Sequence, residues 1–383
     1  MGDAAPDVVV IGGGLIGCAI AYELAKRGAG VTVYDRGEPV RAASWAGAGM
    51  LAPFSEAIDD APLLALCRDS LRAYPAFVAD LLARTGVDAR LRHAGTLHVA
   101  CDEGAAAALA ARCADFRRNG GDAAVVGRDG AVAREAMLGS AVRDAVYVAN
   151  EACVDNRRLG RALVAACRAA GVRFERDDGV ALEADARRVR GIRTEHGFRA
   201  AATVVNAAGA WAGDLAGVPA AARVAVRPVA GEMLALAVPP GFGNALVWGE
   251  GVYLVPRDDG RLLIGATSRE RGFDVRVTAG GVRTLLAAAL RIAPVLAEFA
   301  LVETWAGLRP GSHDGRPYLG ATAVAGYVVA AGHYRNGILL APITAAALVA
   351  LYAGAAPPSP MGHFGAERGS HLALGARGAL GEP

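Results

Sequence analysis

Metal-spaced histidines, paired cysteines and blocks of one charge are all missing from this chain. Only seven histidines and six cysteines occur in 383 residues. Cys18, Cys67, Cys101, Cys113, Cys153 and Cys167 lie far apart, never as C-x-x-C and with no histidine at ligand spacing, which speaks against a metal site or a disulfide framework. They read as small core residues. Lysine plus arginine (40) nearly balance aspartate plus glutamate (38), and aromatics are 6% of the chain, so neither nucleic acid nor an anionic membrane surface is an expected partner. The first apolar strand begins near Asp7, leaving no room for a signal peptide, and the reducing cytoplasm is the expected compartment. The nearest approach to a membrane span is the apolar stretch through Leu351, which Pro342, Thr344 and many alanines suit better to a buried helix.

Apolar residues are abundant at 54%, enough for a sizeable core in two domains or one large interrupted one. The organising stretch is Asp7-Val8-Val9-Val10-Ile11-Gly12-Gly13-Gly14-Leu15-Ile16-Gly17, a buried strand running through G-x-G-x-x-G into a helix. Gly12 lets the turn close, Gly14 lets the main chain approach a pyrophosphate and Gly17 lets helix and strand pack. The amides at the helix start, at Leu15 and Ile16, then face the phosphates. The helix carries Ile16, Ile20 and Leu24 on one face, ends at Gly28 and leads to a second strand, Gly30–Asp35, completing a βαβ unit. Asp35, with Arg36 beside it, stands where a carboxylate takes the ribose hydroxyls. Its charge disfavours a 2′-phosphate, so FAD and NAD remain.

The small-residue run from Ala42 to Pro53 is expected to bring main chain against a flat ligand at Ala43, Ser44, Ala48, Gly49 and Met50, with the Ser44 hydroxyl open to a phosphate. Helices are expected over 60–85, after the strand over 95–100 in an alanine-rich run to about Asn119, and from near Arg157 after an Asp155 cap; a further strand is expected over 145–148. His93 and His98 read as surface or strand residues. Val172–Glu175 reads as a third parallel strand, Val180 offers its amide and carbonyl to an adenine, and Ala202–Trp211 opens into tiny residues that can pass beneath a cofactor. An antiparallel texture follows over 223–238 and 245–266, with a hairpin at Asp258-Asp259-Gly260, then a helix over 278–297. Thr304–Pro310 leads back and places Arg309 in a turn. The last ordered element is strand, glycine turn and helix, with Gly332, His333, Tyr334, Arg335, Asn336, Gly337, Ile338 and Leu339 in the turn.

A nicotinamide cofactor needs nothing from the far end of a chain, whereas FAD is long enough to require several returning segments. Two further glycine-rich segments return here, and the last helix aims its N-terminal dipole at the ligand, suited to the charge on a reduced flavin. With one dinucleotide turn there is no separate NAD site. The expected fold is α/β: a Rossmann-like FAD-binding domain of glutathione-reductase type over 1–85, 145–220 and 303–355, interrupted by a substrate domain of antiparallel sheet plus helices over 86–144 and 221–302. A disordered tail is expected over 356–383.

Together, Gly12–Gly17 with Asp35, Ser44–Pro53, Trp305–Pro310 and Gly332–Pro342 resemble the D-amino-acid oxidase superfamily of FAD-dependent amine oxidoreductases. "ASWAGAGMLAP", "WAGLRPGSHDGRPYLG" and "GHYRNGILLAP" are most similar to the glycine oxidases of thiamine (thiazole) biosynthesis, and the resemblance covers the chain to about residue 355. It implies non-covalent FAD, oxidation of glycine, and more slowly of sarcosine or small D-amino acids, to glyoxylate, ammonia and hydrogen peroxide, and assembly as a homo-oligomer, often a tetramer. Arg309 aligns with the arginine that holds the substrate carboxylate, Tyr253 with its helper tyrosine and Arg335 with a residue near flavin and substrate. Residue chemistry agrees, since a guanidinium grips a carboxylate with two parallel hydrogen bonds. The other readings are an ion pair for Arg309, packing for Tyr253 and an organising role in the flavin loop for Arg335. No general base is required. Two departures stand out: Asp35 where the family more often has glutamate, and small residues at Gly251 and Ser268, which imply a roomier pocket. A D-amino-acid dehydrogenase, a sarcosine-type oxidase and a non-catalytic FAD-binding scaffold remain the competing readings.

Overall fold

The computed structural model describes residues 7–56, 59–185 and 187–369. Val8–Ile11 is apolar and buried throughout, as a strand covered on both faces requires. It pairs in parallel with Val31–Asp35 on one side and Thr203–Asn206 on the other. Arg173–Arg176 extends the sheet in parallel beyond Val31–Asp35. Tyr327–Ala331 does so beyond Thr203–Asn206, and Tyr318–Ala321 closes that edge antiparallel. The chain leaves Val8–Ile11 toward one edge and later returns toward the other, so a crevice opens at the carboxyl end of the central strand.

Helices Leu15–Ala25, Ala61–Thr85, Asn156–Ala169 and Ala341–Tyr352 cover this sheet, burying Ile20, Tyr74, Leu81, Leu163 and Leu348 in one core. Their ends are chemically marked: Asp60 and Asp155 accept the Leu63 and Arg158 amides as N-caps, and Gly86 ends its helix in the left-handed region. A second sheet of eight strands has the order Leu301–Ser312, Val226–Ala237, Arg261–Gly265, Val252–Pro256, Leu246–Gly249, Thr96–Ala100, Asp144–Val148 and Ala123–Val125. Its own core joins Leu97, Leu254 and Ile264 to Leu285 and Ile292 of helix Ala279–Ile292. That helix stops sooner than expected because Pro294 cannot continue it.

Several expectations are corrected. Asp144–Val148 pairs with Thr96–Ala100 and so belongs to the eight-stranded sheet, not to the returning nucleotide segment. Leu301–Ser312 is a single twelve-residue strand of that same sheet, which moves the boundary expected at 303. Arg309 therefore sits in a strand opposite Val229, not in a turn. Gly307, Pro310 and Gly311 suggested a break, but this is the sheet edge, where a residue without an amide donor is tolerated. The Ala42–Pro53 run is not featureless: it forms the short helix Ala43–Ala46, and Met50–Leu51 pairs with Ala152–Cys153. Of the tail expected to be disordered, residues 356–369 pack instead, since one aromatic, Phe364, enters the core of the first sheet and Ser359 donates to Asp69 (2.8 Å). Residues 370–383 lie outside the described residues. All six cysteines are free thiols, five buried and Cys101 half-buried.

Candidate active site

A cavity of about 420 Å³ opens at the carboxyl end of the central strand and reaches from Asp35 and Val180 to Tyr253 and Arg309. Its size is that of a small-molecule site. Of the expected site residues, Gly12, Gly14, Leu15, Ile16, Asp35, Arg36, Ala43, Ser44, Ala48, Gly49, Met50, Val180, Tyr253, Arg309 and every residue from His333 to Ile338 line it. Gly17, Gly332 and Leu339 do not. Gly17 is a packing residue, for a Cβ there would stand 1.9 Å from the Gly12 carbonyl oxygen. Gly332 holds a positive φ that sets the turn, and Leu339 is buried behind the wall.

At one end the wall is main chain. Gly12 has φ +105° and an added Cβ would lie 2.3 Å from the Ala207 oxygen, so the turn closes only with glycine. Above Gly14 the nearest obstacle to a Cβ is the Ser44 hydroxyl at 3.3 Å, which leaves the approach to the helix start open. Helix Leu15–Ala25 has no side-chain cap of its own and no acid in its first turn. Leu15 N–H donates to Ser44 Oγ (2.9 Å), which places that hydroxyl at the helix N-terminus where a phosphate would lie. Asp35 is fixed by two main-chain donors, Gly13 N–H on Oδ2 (2.7 Å) and Gly37 N–H on Oδ1 (2.8 Å). Arg36 stacks 4.5 Å over Trp211. The open glycine turn, unfilled helix terminus and strand-end carboxylate fit an adenine dinucleotide.

The middle of the cavity is a loop gripped from outside. Trp305 Nε1 donates to the Ala46 carbonyl (2.9 Å), and Asn156 Nδ2 donates to those of Ser44 (2.8 Å) and Trp45 (3.0 Å). The buried Arg257 donates to Ala48 O (2.7 Å), Val154 O (2.9 Å) and Asn156 Oδ1 (3.0 Å). Facing this loop is the turn His333–Ile338, whose back is tied to helix Ala61–Thr85: Tyr74 Oη donates to Ile338 O (2.6 Å) and Ser70 Oγ to Leu339 O (2.5 Å). Burial lowers the His333 pKa to about 3, so the ring is neutral; it lies 3.1 Å from the Thr344 hydroxyl. The last helix begins only at Ala341, so the turn rather than a helix terminus meets the cavity. This corrects the expected dipole.

At the far end the wall is side chain. Arg309 reaches over Gly231, where an added Cβ would lie 2.3 Å from its guanidinium, and donates to Thr267 O (3.1 Å). It forms no ion pair among the described residues, against the ion-pair reading. The Tyr253 hydroxyl is 3.7 Å from Met233 Sδ, and burial raises its pKa, keeping it a donor. Arg335 pairs with Glu56 (2.5 Å). Gly251 and Ser268 are exposed and do not line the cavity, so they do not enlarge it.

Glu56, Met233 and the Asp177–Asp178 pair also line the cavity and have no counterpart in the sequence expectations. The tiny residues closing Ala202–Trp211 were a fair signal for part of this wall. A single acid in an irregular loop gave none for Glu56. Among the described residues no group of three or more His, Cys, Asp or Glu could hold a metal ion, and no helix is long and apolar enough to cross a membrane.

Residues 7–351 match the family of FAD dependent oxidoreductases known as DAO. A glycine oxidase of Geobacillus kaustophilus is 38% identical over 342 residues, 88% of this chain and 90% of that protein. The crystal structure of glycine oxidase from the same organism superposes with TM-score 0.88 at 36% identity, covering 94% of this chain and 98% of that one. A bifunctional protein ThiO/ThiG of Trichormus variabilis is 38% identical over 349 residues, 89% of this chain. The chain spans about half the length of that bifunctional relative (51%).

Proposed function

Because this chain belongs to the DAO family of FAD-dependent oxidoreductases, we propose that it is a glycine oxidase converting glycine, oxygen and water to glyoxylate, ammonia and hydrogen peroxide, with sarcosine and small D-amino acids as slower substrates. The product serves thiazole formation in thiamine biosynthesis. The observation that carries the reading is Arg309, an arginine without an ion-pair partner among the described residues, beside a protonated tyrosine at the end of the cavity opposite Asp35. Gly12, Gly14, Leu15 and Ser44 would hold the FAD pyrophosphate, Asp35 its ribose, and the loop through Met50 and the turn through Ile338 its ring system.

The FAD these residues would hold would supply an acceptor for the substrate's α-hydride and a route for the electrons to oxygen. Arg309 would hold the substrate carboxylate through charge-assisted hydrogen bonds, with Tyr253 donating another, so that the α-carbon is fixed in one orientation. His333 is neutral and turned toward Thr344, and Glu56 is engaged by Arg335; neither is placed to take a proton. Orientation is the protein's main contribution. A cytoplasmic location and a tetramer belong to the same proposal, the latter read from the mass in solution.

The test is oxygen uptake and peroxide release by the yellow purified protein with glycine, sarcosine, D-alanine and D-proline. Glycine is expected to give the highest kcat/KM and to bleach the flavin anaerobically. Reduction of a dye without oxygen uptake would make the protein a dehydrogenase, and a flavin that no amine bleaches would make it a scaffold.

A further inference from the structure

The substrate end of the cavity holds three charged side chains: Arg309, Arg335 and Glu56. Arg309 has no carboxylate partner among the described residues, whereas Arg335 Nε lies 2.5 Å from Glu56 Oε2 with the glutamate side chain only 10% exposed. One of the two guanidinium charges is thus already neutralised by the protein. The site is left with a single net positive charge, enough for one carboxylate.

The residue before Glu56, Ser55, is held from beneath by a buried polar cluster. Glu151, fully buried, accepts the Phe54 and Ser55 amides on Oε1 (2.9 and 2.8 Å) and the Ser55 hydroxyl on Oε2 (2.5 Å). His98 Nε2 lies 2.8 Å from the same hydroxyl, and Arg112 donates to the Ser55 carbonyl (3.0 Å). Every polar group of Ser55 is therefore held, and the next residue, Glu56, is delivered to the cavity.

We propose that Glu56 is a specificity-determining residue: it occupies Arg335 so that the cavity accepts monoanionic substrates, glycine and N-substituted glycines with neutral substituents, and rejects dianions carrying a second acid on the nitrogen substituent. A second carboxylate placed near Arg335 meets a carboxylate already there, and like charges in a partly buried site repel strongly. Glu151 and Ser55 act as positioning residues for this filter. The inference rests on the glycine-oxidase reading but has a separate readout.

The test uses the FAD-loaded enzyme and two ligands that cannot be oxidised at an amine, diglycolate and its monoamide, which match in shape and differ by one charge. Binding is followed through the change each causes in the flavin absorbance. The unaltered enzyme is expected to bind the monoamide at least tenfold more tightly, and Glu56→Gln to reduce that ratio at least tenfold. Arg335→Gln should move it the opposite way, because Glu56 then stands unopposed; this keeps the test decisive should Glu56→Gln fold poorly. The kcat/KM ratio of iminodiacetate to its monoamide should follow the binding ratio in each variant. A ratio unchanged within threefold in both variants overturns the filter even if glycine is oxidised. A ratio that moves as expected in a protein that oxidises no amine upholds the filter and sinks the glycine-oxidase reading.

Discussion

The two ends of the cavity are built from different material. The dinucleotide end is organised by the main chain of one short stretch, Gly12 to Asp35, whose elements are neighbours in sequence as well as in space, with 177–180 and 207–216 completing its wall. The acid end consists of side chains from Tyr253 and Arg309 on two strands of the eight-stranded sheet, Glu56 in a loop and Arg335 in the turn after Tyr327–Ala331. Main-chain geometry admits almost no substitution, whereas side chains can be exchanged one at a time. The first end should fail by losing fold and cofactor together, the second by losing affinity while the cofactor stays.

The sharpest way to break the comparison is at Gly17. With a Cβ only 1.9 Å from the Gly12 oxygen, Gly17→Ala forces strand and helix apart and is expected to cost on the order of 4 kcal/mol, with loss of yellow colour and a lowered melting temperature. Gly14→Ala, which meets only the Ser44 hydroxyl at 3.3 Å, should fold and bind FAD more weakly. Equal outcomes for the two variants would show that the turn is not read at this resolution of geometry. Arg309→Ala should leave the flavin spectrum intact and raise the KM for glycine tenfold or more, as expected for the loss of about 2 kcal/mol from a charged hydrogen bond. An unchanged KM would remove Arg309 from the acid end.

A subtler contrast lies beneath Glu56. Burial raises the Glu151 pKa from 4.5 to about 7. The folded state therefore holds a proton that the unfolded state releases, and this residue's contribution to stability is intact below pH 4.5 and lost as pH rises to about 7. Buried His98, lowered to about 3, works the other way, destabilising the fold as pH falls below 6.5. The stability of Glu151→Gln relative to the unaltered protein should accordingly improve from pH 4.5 to 7, measured by denaturant unfolding at each pH. A difference that stays flat would show that Glu151 keeps an ordinary titration.

This division also explains what was legible beforehand. The βαβ unit, the N-cap Asp155 and the Asp258-Asp259-Gly260 hairpin each announce themselves through local pattern, so those elements lie where the residues put them. Arg309 was found by its resemblance to a known motif, yet its place in a continuous strand was hidden, because glycine and proline in an edge strand look like a turn until the partner Val226–Ala237 is known. Glu56 and Arg257 depend wholly on contacts with distant segments and have no local signature. Phe364 shows the same limit, since nothing around it is periodic and only the space it fills explains it.

The chain passes from the six-stranded sheet to the eight-stranded one and back twice over, through Thr96–Ala100, Arg173–Arg176, Val226–Ala237 and Tyr318–Ala321. Neither half corresponds to one uninterrupted stretch of polypeptide. No simple truncation can liberate a nucleotide module, and no recombination at a single junction can graft a new substrate module onto the old one. New substrate tastes must come by piecemeal change at the lips of the cleft, where the two sheets meet.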